Sequence, residues 1–375
     1  MKIILLYFIL ITAISLIGVW LLGAFYSKKV KNKKGKLKVL NLKRFKKNPI
    51  LSPRATQDWE VQGVFNPASV KIDGLTYLLY RATGIDGVSK IGYAISNDGQ
   101  NIIERGTYPI FAITSPRIDA GVSKYHFDPV LYPSGGSWGG CEDPRVVEIN
   151  DRVYMTFNAF DGWDFLRIGL TSITKKDLLN KKWNWAKPIF ISPPGEIHKN
   201  WVMFPEKING KYALLHSINP EIQIEFVDNL NNLGKEIKIK SHFGQKTQRQ
   251  EWDTWVRGAG APPLKTKDGW LIFYHATNKK EPSRYKLGAM LLDLKNPKKV
   301  LWRAPGPVLE PDEWYENDWK PGVVYVCGAV INNDQVFVYY GGGDKHTCLA
   351  TVDLNELIRF IKGKHTGSKI FERVK

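Results

Sequence analysis

Apolar and polar positions alternate along this chain in a pattern that recurs. Five times a Pro- or Gly-marked approach leads into an apolar strand, a tight polar turn and a second strand rich in aromatic residues. The turns centre on Asp73-Gly74, Asn150-Asp151, Asn209-Gly210, Asp268-Gly269 and Asn333-Asp334. Asn, Asp and Gly accept the positive φ that a two-residue type I′ turn requires, so each unit predicts a β-hairpin. The turns recur every ~60–75 residues, longer than a common propeller repeat and enough for two more strands and a loop per unit. Five similar all-β units predict a five-bladed β-propeller, whose loops gather around a central pocket. After the last unit, Leu354, Leu357, Ile358 and Ile361 fall at helical spacing and predict a short amphipathic C-terminal helix.

The first residues follow a different pattern. From Ile3 to Phe25 there is no charge, and a helix of that length spans a bilayer core of about 30 Å. A secretory signal would have a shorter apolar region and a small-x-small cleavage site, which Leu22-Gly23-Ala24 matches poorly. The stretch therefore reads as an uncleaved N-terminal transmembrane helix. Seven lysines between Lys28 and Lys38 follow it directly, which by the positive-inside rule puts the rest of the chain on the cytoplasmic face. The expected organisation is an anchor over 1–27, a basic tether over 28–47 and a propeller over 48–375.

The charge changes the picture only locally. The net charge is +18, but eleven Lys and Arg lie between Lys28 and Lys47 without an acid, so the remainder carries only +7. That distribution points to a membrane surface rather than to nucleic acid. The three cysteines, Cys141, Cys327 and Cys348, form no C-x-x-C pair and no zinc-ligand spacing, so they read as buried thiols and no metal site is expected.

Candidate chemistry lies where charged residues interrupt the approaches to the hairpins. Asn66 precedes Pro67, and Arg81 closes the hairpin that follows. Glu142, Asp143 and Arg145 crowd the start of the second unit, His198-Lys199-Asn200 precedes Phe204-Pro205-Glu206, and Arg257 precedes a glycine- and proline-rich approach. Singly, each has a plain structural reading: Asp before Pro starts turns, and Glu142 could pair with Arg145. Recurrence at the same point of successive units argues for one shared pocket. Trp59, Trp138, Trp163, Trp201, Trp252, Trp255, Trp314 and Trp319 lie mostly in the connections. Carboxylates, Arg and Asn bind sugar hydroxyls while aromatic rings stack on sugar C–H faces, so the set suggests a carbohydrate pocket.

On these residues the chain, from about Asn48 to Asp353, resembles glycoside hydrolase family 130, the five-bladed β-mannoside phosphorylases and related mannosidases. The resemblance rests on Phe65-Asn66-Pro67, Leu79-Tyr80-Arg81-Ala82, Glu142-Asp143-Pro144-Arg145, Phe204-Pro205-Glu206, Gly258-Ala259-Gly260-Ala261-Pro262-Pro263, Tyr285-Lys286-Leu287-Gly288-Ala289 and Tyr339-Tyr340-Gly341-Gly342-Gly343-Asp344. It implies an inverting enzyme acting on a terminal β-mannoside of an oligosaccharide or glycoconjugate. Asp143 matches the general acid, which in the phosphorylases works through a sugar hydroxyl. Asn66 and Arg81 match residues holding the mannose, with Tyr285 and Asp344 as further pocket residues and Glu142, Arg145 and Glu206 beside them. No cofactor is implied beyond inorganic phosphate as co-substrate. Lys199-Asn200 stands where an Arg-Asn pair is usual and Arg257 where a Lys is usual. After His216 the phosphorylases place an Arg, and here the residue is Ser217. Phosphorolysis giving mannose 1-phosphate is the leading expectation. A water-dependent β-mannosidase, with Glu206 or Asp344 as base, is the second, and a membrane-tethered glycan-binding propeller without turnover the third.

Overall fold

The computed structural model describes residues 40–113, 137–162, 166–233, 239, 241 and 252–363. They are almost entirely β, and the compact unit they form begins at Leu40. Four of the five expected turns sit at the predicted pairs. Asp73-Gly74, Asn150-Asp151, Asn209-Gly210 and Asn333-Asp334 all have positive φ at both residues and join directly paired antiparallel positions. The fourth turn is displaced by one residue. Thr266 pairs with Gly269, so Lys267-Asp268 forms the turn, and the Thr266 hydroxyl receives the Asp268 N–H and donates to the Gly269 carbonyl.

The strands form four sheets rather than five separate blades, and none is closed on itself. The first two units are fused into one eight-stranded sheet, because Val88-Ser89, opening the strand Val88–Ser96 of the first, pairs in parallel with Gly139-Gly140 at the start of the second. The third unit is three-stranded (Val202–Met203, Tyr212–Ser217, Gln223–Val227), and the fourth is five-stranded around Gly269–Thr277. In the fifth, Val324–Asn332, Gln335–Gly342 and His346–Asp353 are joined by Lys43–Arg44 from the start of the compact unit. Arg44 holds the buried Glu316 carboxylate through Nε at 2.8 Å and Nη2 at 2.9 Å, fixing that outer strand by a buried ion pair.

Neighbouring sheets cover one another, so the hairpin strands are buried on both sides instead of alternating between core and solvent. In Gly139–Ile149 only Glu148 escapes full burial. At the centre, Gly63–Ile72 touches both Gly139–Ile149 and Val324–Asn332, and Gly139–Ile149 touches Val202–Met203. The approaches of the units thereby meet. The C-terminal helix occupies Leu354–Ile361, is capped by Asp353, and buries Leu357, Ile358, Phe360 and Ile361.

The expectation of a transmembrane helix, and the cytoplasmic placement resting on it, is corrected. Its stretch, residues 3–25, lies outside the described residues, and among the described residues no helix is long and apolar enough to cross a membrane.

Candidate active site

Four of the first strands slip register at the same point. The breaks fall between Phe65 and Ala68, Glu142 and Arg145, Val256 and Gly258, and Val326 and Gly328. A β-bulge leaves the extra residue outside the ladder and re-aims its side chain. At the first two bulges the extra residues are Asn66 and Asp143, each in the left-handed region at φ 49° and 50° and each followed by proline. Asn and Asp tolerate this conformation at modest cost, of order 1 kcal/mol, which the packed surroundings over-determine.

The two bulges bring these residues together. Asn66 Nδ2 donates to Asp143 Oδ1 at 2.7 Å, Asn158 Nδ2 donates to Oδ2 at 3.2 Å, and Arg81 Nη1 lies 3.3 Å from Oδ1. Gly341 of the fifth unit backs the arrangement, since a Cβ there would lie 2.0 Å from Asn66 Oδ1. Arg81 is fully enclosed. Its Nε donates to Ser89 and its Nη2 to Ser137 and Glu142, and the guanidinium lies 4.8 Å from the centre of the Phe65 ring. The Glu142–Arg145 pairing does not form: Arg81 takes Glu142, and Lys199 stands 3.7 Å from the other oxygen of that carboxylate.

Arg145 instead ties three units. Its Nη1 donates to the Asp143 carbonyl at 2.9 Å, its Nε to the Gly260 carbonyl at 3.0 Å and its Nη2 to Asn200 Oδ1 at 2.7 Å. Tyr325 donates to the same Asn200 oxygen at 2.5 Å, and Asn200 Nδ2 donates to the Arg257 carbonyl at 2.7 Å. Asn200, itself at φ 66°, is therefore held on both ends of its amide and packs so close to Gly258 that a Cβ there would lie 2.9 Å away.

Burial alone would raise the Asp143 carboxyl, but the surrounding Arg81, Arg145 and Lys199 cations outweigh it and hold the group below the usual carboxylate range. Burial pushes the Tyr325 phenol well above its ordinary range, with the nearby Asp143 charge adding to it, so it remains a donor. His275 stacks on Tyr325 with ring centres 4.1 Å apart and is driven down to about 3 by burial and by Arg145. It is neutral, and its Nε2 accepts the Val326 N–H.

Beside this core opens a small, partly open cleft whose lining includes Lys199, Asn200, His216, Ser217, Arg257 and Gly258. The Arg257 guanidinium lies over the Trp255 and Tyr285 rings at 5.3 and 5.6 Å from their centres, and its buried Nε has no hydrogen-bond partner among the described residues. Tyr285 also approaches Tyr325, at 6.2 Å between ring centres. Asp344, at φ 52°, is held by Lys320 at 2.9 Å and acts electrostatically on Arg81.

Ten of the eleven predicted site residues thus fall in one connected region. Glu206 does not join them: it is on the surface, where it accepts from Lys265 at 2.7 Å. Asn158, Tyr325 and Lys320 were not anticipated. Asn158 left one signal, an amide inside the otherwise apolar Phe157–Phe160 run, whereas Tyr325 and Lys320 gave none.

The geometry agrees with what the chain is similar to. The family model of glycoside hydrolase family 130, described as beta-1,4-mannooligosaccharide phosphorylase, matches residues 41–363. A 1,2-beta-oligomannan phosphorylase from a Thermoanaerobacter species is 36% identical over 329 residues, covering 85% of this chain and 99% of the relative. A beta-1,2-mannobiose phosphorylase from the same organism is 34% identical, covering 86% and 100%. Among solved structures, the beta-1,2-mannobiose phosphorylase of Listeria innocua shares the fold with a TM-score of 0.65 at 24% identity, covering 86% of this chain and 100% of that one.

Proposed function

The chain belongs to glycoside hydrolase family 130, and from that premise we propose that it cleaves terminal β-mannosidic bonds by phosphorolysis, with β-1,2-linked mannosides as substrates. The linkage follows the two relatives that are more than 30% identical. The observation that carries the reading is the adjacency of the Asn66–Asp143–Arg81 cluster to the cleft containing Lys199 and Arg257. One supplies a carboxyl for the leaving group, and the other supplies cations for a phosphate.

In this reading Asn66, Arg81 and Asp344 hold the mannose, with Tyr285 at its side. Phosphate sits against Lys199, Arg257 and the free hydrogen of the Asn200 amide. A phosphate oxygen attacks C1 from the face opposite the leaving group as the C1–O bond breaks. Asp143 gives its proton to the departing oxygen, directly or through a sugar hydroxyl. Inversion then yields α-mannose 1-phosphate and a shortened acceptor. Glu142 and Arg145 act through others: Glu142 fixes Arg81, and Arg145 fixes Asn200 and the Asp143 backbone.

Lys199, one of the cations placed against phosphate, also helps Arg81 and Arg145 keep the free carboxyl of Asp143 ionised, whereas a general acid must carry a proton. Arrival of the phosphate dianion offsets the Lys199 charge and lets the carboxyl take up its proton, so the acid is loaded when the co-substrate is present. Desolvating that dianion is costly unless several donors converge on it, which the cleft provides. Ser217 favours a second reading. It lines the cleft where a bidentate guanidinium would clamp phosphate, and its hydroxyl is engaged with the Asn219 carbonyl at 3.0 Å. Water would then be the nucleophile. Incubating the protein with β-1,2-mannobiose, with and without phosphate, separates the two: mannose 1-phosphate only in phosphate supports phosphorolysis, and equal free mannose in both buffers overturns it.

A further inference from the structure

The eight connection tryptophans do not share one environment. Trp138 and Trp201 are buried, Trp59 and Trp252 stack on Tyr80 and Tyr274, and Trp255 lies under Arg257, while Trp163 lies outside the described residues. Only Trp314, 61% exposed, and Trp319, 39% exposed, rank among the exposed large apolar side chains of the described residues, and both belong to the loop 311–323. Indoles exposed to this extent, six residues or fewer from a group in the pocket, are a binding surface rather than core.

That loop is fastened to the turn that delivers Asp344. The Lys320 N–H donates to the Gly343 carbonyl at 2.9 Å, and its ammonium holds Asp344 at 2.9 Å. Asp318 takes His346 and Lys345 at 2.9 Å each, and His346 in turn meets Ser52 at 3.0 Å. The Trp314 ring stands edge-on to His346 with centres 5.6 Å apart. Lys320 stays cationic in spite of burial because Asp344 and Tyr285 face it, and it feels Arg81 from the other side. The loop therefore reaches from the mannose pocket, at Lys320, to an aromatic rim at Trp314 and Trp319.

We propose that the loop 311–323 forms an acceptor-side subsite in which Trp314 and Trp319 stack on mannosyl units beyond the cleaved bond. The inference rests on the reading of the substrate as a β-mannoside and deepens it: the enzyme selects oligosaccharides over the disaccharide. Pyranose C–H faces cover the indoles, and Asp318, Lys320 and Lys345 are the polar groups within reach of the hydroxyls. Lys320 couples the subsite to Asp344, so a chain seated on the rim also steadies the mannose contact.

The test compares kcat/KM for β-1,2-mannobiose, the trisaccharide and the tetrasaccharide in the wild type, Trp314→Ala and Trp319→Ala, with thermal melts to confirm folding. The wild type favours the longer chains. At least one variant loses about threefold to tenfold more on the trisaccharide than on the disaccharide, the loss lying in KM, as removal of an aromatic stacking partner requires. Quenching of indole fluorescence by the trisaccharide, diminished in the same variant, gives an activity-independent readout. A trisaccharide-to-disaccharide ratio within about twofold of wild type in both folded variants overturns the subsite. A wild type that cleaves no β-mannoside with phosphate overturns the functional reading itself, a result distinct from the other.

Discussion

Replacing Asp143 by Asn removes a proton donor while keeping the shape of the side chain. The carboxylate accepts from Asn66 at 2.7 Å, Asn158 at 3.2 Å and Arg81 at 3.3 Å. An amide retains one oxygen for Asn66 and Arg81 but turns an NH₂ toward Asn158. The Asn158 Oδ1 has no hydrogen-bond partner among the described residues, so a flip of that amide restores the contact. What is lost is charge assistance, roughly 1 kcal/mol or more per bond, and relief of the buried carboxylate's desolvation offsets part of it. Asp143→Asn should therefore fold and bind mannobiose by calorimetry. Phosphorolysis of mannobiose, whose leaving alkoxide needs a proton, should fall by about 10²- to 10⁴-fold. A dinitrophenyl β-mannoside, whose leaving group needs little protonation, should lose far less. An unchanged rate on mannobiose, or equal losses on both substrates in a folded variant, would refute the assignment of Asp143.

Lys199→Met removes one of three cations that hold the Asp143 carboxyl down. The acid works protonated and is lost as pH rises through its pKa, so the alkaline limb of the kcat/KM profile should move to higher pH while KM for phosphate rises about tenfold or more. Gly341→Ala drives a methyl group against Asn66 Oδ1, and activity should fall together with the melting temperature. Asp98, held down to about 2 because its bonds from Asn101, Gln100 and Ser96 outweigh burial, contributes stability that is present above its unfolded value near 3.9 and is lost as pH falls toward 2. Asp98→Ala should consequently lower the melting temperature at pH 6 and have a diminishing effect below pH 3.

What was legible in the sequence was local. Asn and Asp in pairs at the turn centres announce positive φ by themselves, and four hairpins fell where those pairs stand. The fourth slipped because the Thr266 hydroxyl caps a Lys267-Asp268 turn, a contact that outweighs the Asp-Gly signal. The crowding of Glu142, Asp143 and Arg145 pointed to the candidate site, but their pairing depended on Arg81 and Asn200, 61 and 55 residues away from their partners. The bulges at Asn66 and Asp143 arise from cross-strand register, and the fusion of the first two units arises from a parallel contact between distant glycine and serine backbones. Neither has a local signature. Glu206 adjoins a motif, but Lys265 across the surface decides where its side chain lies. Tyr325 and Lys320 reach the site from elements whose own composition is ordinary.

The central claim is that Asp143 and the Lys199–Arg257 cleft act together in an inverting displacement by phosphate. The direct measurement is a proton and phosphorus NMR time course of β-1,2-mannobiose with the protein in phosphate buffer, which reads both the nucleophile and the anomeric configuration of the first product. The account predicts α-mannose 1-phosphate appearing at the rate at which mannobiose disappears. Two equivalents of free mannose per mannobiose with no mannose 1-phosphate, or β-mannose 1-phosphate as the phosphorylated product, would contradict it.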